Sequence, residues 1–109
     1  MDMVINRFEV WYVNLEPTIG SEISRIRPCL IISPDNTNRY LNTVIVAALT
    51  STRKRFPTRV DCFFDEREGQ VALDQIRSVD KRRLLSRIGE LEEDTAKQVC
   101  IKLQQLFSY

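Results

Sequence analysis

The sequence predicts a mainly β domain of α+β type: a small, strongly curved barrel of five to six antiparallel strands with one C-terminal α-helix. Three observations point there. Short runs rich in β-branched, aliphatic and aromatic residues recur between polar or Pro/Gly-marked turns. Only the last segment carries apolar residues at helical spacing. Two of the runs, Cys29–Ile32 and Val44–Leu49, are apolar throughout, which requires cover on both faces of the sheet.

Taken in order, Phe8–Leu15 reads as a strand, with Val10, Trp11, Tyr12 and Val13 favouring extended backbone. Trp11 and Tyr12 are expected in the core. Glu16–Arg27 is a long polar loop punctuated by Pro17 and Gly20. Pro28–Ser33 is a buried strand, and Pro34, Asp35 and Asn36 turn the chain. Thr43–Leu49 is the third strand and Thr50–Pro57 a second polar loop. Thr58–Phe64 alternates, with Val60, Cys62 and Phe64 on one face and Arg59 and Asp61 on the other. Asp65–Gly69 reads as a charged turn, Gln70–Ile76 as the fifth strand, Asp80–Leu85 as one helical turn and Ser86–Leu91 as a short last strand. Ala96, Val99, Cys100, Leu103, Leu106 and Phe107 then form one helical stripe. Glu92, Glu93 and Asp94 sit at its start, where the helix dipole favours negative charge.

The chain has 109 residues, which suits one domain over residues 1–109 with a modest core and an expected partner surface. No run approaches the roughly 20 apolar residues of a membrane span. Asp2, Arg7 and Glu9 interrupt the N-terminal stretch where a signal peptide would need an apolar core. The cytoplasm is the expected compartment. Cys29, Cys62 and Cys100 are odd in number and far apart, so they read as buried inert thiols. With no histidine and no CxxC pair, a Cys/His zinc site lacks ligands. No acidic motif shows convincing metal-ligand spacing, so no metal and no cofactor is expected. Catalysis would fall to Asp, Glu, Arg, Lys, Thr, Ser, Tyr or Cys.

Net charge is +1, but the cations cluster. Arg25 and Arg27 form one group, Arg53, Lys54, Arg55 and Arg59 a second, and Arg77 to Arg87 a third. If the two polar loops gather at one rim, they bring Arg25, Arg27, Arg53, Lys54 and Arg55 together with Thr18, Ser21, Thr50, Ser51 and Thr52. Guanidinium forks and hydroxyls are groups that hold phosphate. Phe56 and Tyr40 offer further stacking surfaces for unpaired bases. Composition alone favours a solvated surface with clustered signs over a phosphate-binding one.

Four blocks carry a resemblance. Val10–Glu22, with its Glu16-Pro17-Thr18-Ile19-Gly20-Ser21-Glu22 run, resembles the opening of MazF/PemK toxins. Arg27-Pro28-Cys29-Leu30-Ile31-Ile32-Ser33-Pro34 resembles their second strand, Thr43–Thr50 their third, and Ala72–Lys81 their fifth strand and its exit. The order and spacing match, and the likeness is thinnest between Arg53 and Glu68. It implies an SH3-like barrel of the CcdB/MazF kind, a homodimer and cleavage of single-stranded mRNA at short sequences. It also implies a cognate antitoxin, which is expected to cover the basic groove with an acidic tail.

Carried over by position, Arg27 falls on the family's catalytic arginine before proline, and Thr50 on the threonine closing the third strand. Asp74 falls on an acidic position implicated in PemK-type members, and Ser21 and Glu22 lie in the first loop. The candidate catalytic set is Arg27, Thr50, Asp74 and Glu22. The RNA-binding set is Thr18, Ser21, Arg25, Ser51, Arg53, Lys54, Arg55, Gln75 and Arg77. Ala72 and Ser21 stand where some PemK members carry an arginine and a histidine, so those members' acid–base roles do not transfer whole. In the chemistry implied, the RNA's 2′-hydroxyl attacks the adjacent phosphorus while Arg27 stabilises the charge on the oxygens. A gyrase-poisoning toxin of the CcdB type and a non-catalytic SH3-like peptide-binding module are the competing readings.

Overall fold

The structure, a computed structural model, describes residues 3–109. Met1 and Asp2, which the N-terminal reading included, lie outside the described residues. Seven strands form one antiparallel sheet: β1 (Glu9–Asn14), β2 (Ile26–Ile31), β3 (Thr43–Thr50), β4 (Arg59–Phe64), β5 (Arg67–Ala72), β6 (Arg77–Asp80) and β7 (Leu84–Glu90). The order is β4-β5-β3-β2-β1-β7, and β6 also pairs with β3. Among the described residues two α-helices join the sheet, α1 (Asp35–Tyr40) and α2 (Glu93–Leu106).

β3 organises the sheet. Its first half pairs with β6 from Thr43 to Val46, its middle with β2 from Val46 to Ala48, and its last two residues with Val71 and Gln70 of β5. Because successive side chains alternate, β3 feeds two cores. Val44, Val46 and Ala48 join Trp11, Val13, Cys29 and Ile31 on one face. Ala47 and Leu49 join Val10, Leu30, Val60, Val71 and Leu73 on the other. The apolar strands are covered on both faces as the sequence required. α2 seals the second core with Val99, which is fully buried, and with Leu103. Each such fully buried aliphatic side chain contributes about 1.5–3 kcal/mol.

Five expectations are corrected. The single strand expected over Gln70–Ile76 is broken. Between Val71 and Arg77 lie five residues, whereas β3 spends two between their partners Leu49 and Val46. The surplus folds into a 3-10 turn, Leu73–Gln75, which drives Leu73 into the second core and leaves Asp74 at the surface. The turn read over Asp65–Gly69 is shorter. Asp65 and Glu66 alone make it, both at positive φ (54° and 60°), as a tight two-residue hairpin demands. The turn at Pro34–Asn36 extends into α1, held by Asn38, whose side-chain amide donates to the Ser33 carbonyl at 2.9 Å. Along α2, Leu106 and Phe107 are exposed rather than part of the buried stripe. The strand at Pro28 begins two residues earlier, at Ile26.

Candidate active site

The geometry around Arg27 follows from the β2–β3 register. Cys29 pairs with Ala48, Leu30 with Ala47 and Ile31 with Val46. Continued by two residues, one pleat period, that register sets Arg27 across from Thr50 on the same face. Both line a cavity of about 190 Å³ with Tyr12, Ser51, Phe64 and Gly69. The sequence placed Tyr12 in the core. It is instead 38% exposed and walls this cavity, while Trp11 beside it is buried as expected.

Arg27 is half-buried and donates from Nε to the Ser24 carbonyl at 3.1 Å. It forms no salt bridge among the described residues, so its guanidinium charge is not neutralised by Glu16 or Glu22. Thr50 is 9% exposed, and its Oγ1 accepts from the Thr52 amide at 3.1 Å. With that lone pair occupied, the hydroxyl proton remains to be donated.

Gly69 lets β5 approach this point. A Cβ built there would lie 2.7 Å from the Thr50 carbonyl oxygen. Gly69 is in extended backbone, so its reason is space rather than φ. Ser51 joins Arg27 and Thr50 in the cavity, as do the carboxylates Asp65 and Glu68. Arg53 reaches Glu68 in a 3.6 Å surface pair, and Lys54 and Arg55 are exposed.

Five other predicted residues, Ser21, Glu22, Asp74, Gln75 and Arg77, line a second cavity of about 380 Å³, while Thr18 and Arg25 line neither. Several are engaged with the fold. Asp74 takes a forked contact from Arg59 (Nε to Oδ1 2.7 Å, Nη2 to Oδ2 3.3 Å) and a hydrogen bond from Thr58 at 3.1 Å. Burial pushes the Asp74 carboxyl up, but the bonds from Arg59, its own backbone and Thr58 outweigh it and hold the pKa below the ordinary value. Gln75 accepts from the Ile23 amide (2.6 Å) and donates to the Ser21 carbonyl (3.1 Å), tying down the first loop. Arg77 donates to the Leu15 carbonyl at 2.9 Å.

Within the first loop, Glu22 accepts from the Ile19 amide at 2.6 Å. Glu16 accepts from the Arg25 amide at 2.7 Å and from Thr18 at 3.4 Å. Of the basic run after Arg77, Lys81 donates to the Asn38 carbonyl and Arg83 to the Asn14 and Glu16 carbonyls. Arg87 pairs with the buried Glu9 at 2.7 Å. This run therefore holds backbone and core carboxylate in place rather than forming a free cationic stripe. Sequence reasoning missed Gly69, Arg59 and Gln70. A glycine inside a strand run was the available signal for Gly69. In the sequence Arg59 stands out only as a surface cation.

The fold and sequence both have relatives. A chain 36% identical over 108 residues, covering 94% of this protein and 93% of the relative, is Endoribonuclease EndoA of Bacillus subtilis (strain 168). The crystal structure of MazF (Form-I) from Deinococcus radiodurans superposes with a TM-score of 0.86 at 28% identity, covering 99% of this chain and 100% of that one. An endoribonuclease in complex with its cognate antitoxin, from Mycobacterial species, superposes with a TM-score of 0.79 at 26% identity over 93% of this chain and 92% of that one. The match to the family itself runs over residues 6–107, and the chain belongs to the PemK-like, MazF-like toxins of type II toxin–antitoxin systems.

Proposed function

We propose that this toxin is an endoribonuclease that cuts single-stranded mRNA without a metal, using the Arg27–Thr50 cavity. The observation that carries the reading is an arginine with no acid partner among the described residues, lining one cavity with a threonine hydroxyl that has a proton to give. The nucleophile is the RNA's own 2′-hydroxyl. Its oxygen bonds to phosphorus, the bond from phosphorus to the 5′-oxygen breaks, and the ends are a 2′,3′-cyclic phosphate and a 5′-hydroxyl. The departing 5′-oxygen takes its proton from solvent.

Arg27 stabilises the negative charge that builds on the non-bridging oxygens. Oriented donors of this type contribute on the order of 3 kcal/mol each. Arginine holds its proton too tightly to serve first as an acid. Thr50 donates to the phosphate. Glu22, exposed, in no salt bridge among the described residues and lining the second cavity, is assigned the 2′-hydroxyl proton, which requires the bound RNA to span both cavities. Asp74 is a weaker base, since Arg59 stabilises its charged form, and its role is to anchor the 3-10 turn. Tyr12 offers a ring for a base next to the cut, and Arg53, Lys54 and Arg55 hold flanking phosphates.

By charge complementarity an acidic segment of the cognate antitoxin would cover the same basic rim. Exposed Phe63, Ile101 and Phe107 leave apolar surface for a second copy, in line with a homodimer. Among the described residues no helix is long and apolar enough to cross a membrane, and the cytoplasm, where mRNA is, is the proposed site of action.

The test is incubation of purified protein with a single-stranded RNA pool in excess EDTA, with product ends read by mass spectrometry. Cyclic phosphate ends, and no cutting of the all-DNA equivalents, are expected. Cleavage abolished by EDTA, or intact RNA throughout, contradicts the proposal; the second outcome is the one a gyrase-poisoning toxin or a peptide-binding module would give.

A further inference from the structure

The loop between β3 and β4 carries the Arg53-Lys54-Arg55 cluster, and its residues from Ser51 to Pro57 are all exposed. Little in its own sequence holds it. Its local hydrogen bonds are the Thr52 amide to Thr50 Oγ1 and the Arg59 amide to the Phe56 carbonyl. The Arg53–Glu68 pair, at 3.6 Å and open to solvent, is a weak tether.

At the loop's end the Arg59 guanidinium lies over the Phe56 ring, 5.5 Å from the centroid, and its middle is gripped by Gln70. Gln70 stands directly across from Thr50 in the β3–β5 ladder and is 6% exposed. Its Oε1 accepts from the Lys54 amide at 2.9 Å, and its Nε2 donates to the Lys54 carbonyl at 3.0 Å. The amide therefore pairs with both backbone groups of Lys54, as a neighbouring strand would. Nε2 gives its second proton to Asp61 Oδ1, also at 3.0 Å. That third bond sets the amide's orientation. Flipped, the oxygen would face two acceptors and the nitrogen would face an N–H.

We propose that Gln70 is a positioning residue for RNA: it pre-orders the basic loop beside Thr50, so that binding does not have to order the loop. The inference rests on the endoribonuclease reading and assigns a role to a residue that touches no substrate. Its consequence is specific. Loss of the clamp should weaken capture of the RNA strand, because a mobile loop must be ordered on binding. It should leave the chemical step in place, because Arg27 is paired with Val13 in the β1–β2 ladder and Thr50 is paired in the β3–β5 ladder through the backbone of residue 70, which a side-chain change keeps. Glutamate at this position should be worse than alanine near neutral pH. Its carboxylate would face the Lys54 carbonyl and Asp61 with no proton to offer either.

The experiment compares the full-length wild type with Gln70→Ala and Gln70→Glu, by cleavage kinetics on a long single-stranded RNA and by amide hydrogen exchange. In the wild type the Lys54 amide should be protected. In Gln70→Ala it should lose protection while Val46 in β3 keeps it, with KM raised about tenfold and kcat within about twofold. Gln70→Glu should raise KM further, and acidification should recover part of that loss in Gln70→Glu only. A wild-type KM in Gln70→Ala, a fall in kcat alone, or loss of protection at Val46 as well would each overturn the proposal. If the wild type cuts no RNA, the endoribonuclease reading fails; the exchange rate at Lys54 then decides the clamp by itself.

Discussion

Replacing Gly69 by alanine separates space from backbone freedom at the site. The added Cβ would sit 2.7 Å from the Thr50 carbonyl oxygen, 3.5 Å from its carbonyl carbon and 3.9 Å from the Ser51 Cα. All three are backbone atoms in or next to a ladder, so none can swing aside as a side chain would. The strands must part by several tenths of an ångström to reach an ordinary contact. Overpacking of this kind costs about 1–3 kcal/mol. The same shift displaces Thr50, and a misplacement approaching 1 Å costs on the order of 100-fold in rate.

Gly20 is the control. It has φ of +59° but open space around the Cβ position, so Gly20→Ala should cost about 1 kcal/mol of local strain and leave Thr50 in place. Urea denaturation and single-turnover RNA cleavage, run on both variants, give the answer. Gly69→Ala should lose both stability and rate, and Gly20→Ala should keep most of its rate. Full cleavage activity in a folded Gly69→Ala would refute the claim that close approach of β5 sets the position of Thr50.

The remaining predictions concern carboxylates and thiols. Asp74→Asn should lower folding stability by about 1–3 kcal/mol, because the guanidinium of Arg59, 6% exposed, loses its charged partner. Glu22→Gln should leave stability unchanged and lower kcat; the reverse pattern in melting and kinetic assays would exchange their roles. Glu9 is buried, which pushes its carboxyl up, but bonds from the Asn6 amide, Arg87 and Trp11 outweigh this and hold it below its ordinary value. Its stabilising contribution is therefore present in full only well above the ordinary glutamate value of 4.5, declines below it and is lost as pH falls through the depressed value. Glu9→Gln should flatten that acid limb, and an unchanged limb in pH-dependent unfolding would contradict the assignment. Burial pushes the Cys29 thiol to about 12 and the Cys62 thiol to about 11, while Cys100 is partly exposed. One thiol per chain should react rapidly with a disulfide reagent at neutral pH, and two or three reacting rapidly would contradict this.

What the sequence revealed depended on whether a residue's role is periodic or tertiary. Alternation identified β4, and unbroken apolar runs identified β2 and β3, since both patterns express which faces are covered. The bend between β5 and β6 left no local mark. Its cause is a mismatch of length against β3, visible only once the strands are paired. Gly69 was read as a turn residue because glycine signals a turn more often than a close approach. Arg27 and Thr50 were legible as a pair through the family resemblance, and both line one cavity. Tyr12 was misplaced because an aromatic in an apolar strand is most often buried, whereas here its face of β1 opens to the cavity. The basic run from Arg77 to Arg87 could not be sorted from composition, since donors to buried carbonyls and donors to phosphate are the same side chains.

Arg27→Ala carries the most weight, measured as single-turnover cleavage of a single-stranded RNA in EDTA alongside melting temperature and dimer mass. A variant that folds and assembles as wild type but cuts at least about 100-fold more slowly agrees with electrostatic catalysis by that guanidinium. Cleavage by the folded variant within a fewfold of the wild-type rate would remove the chemistry from this cavity.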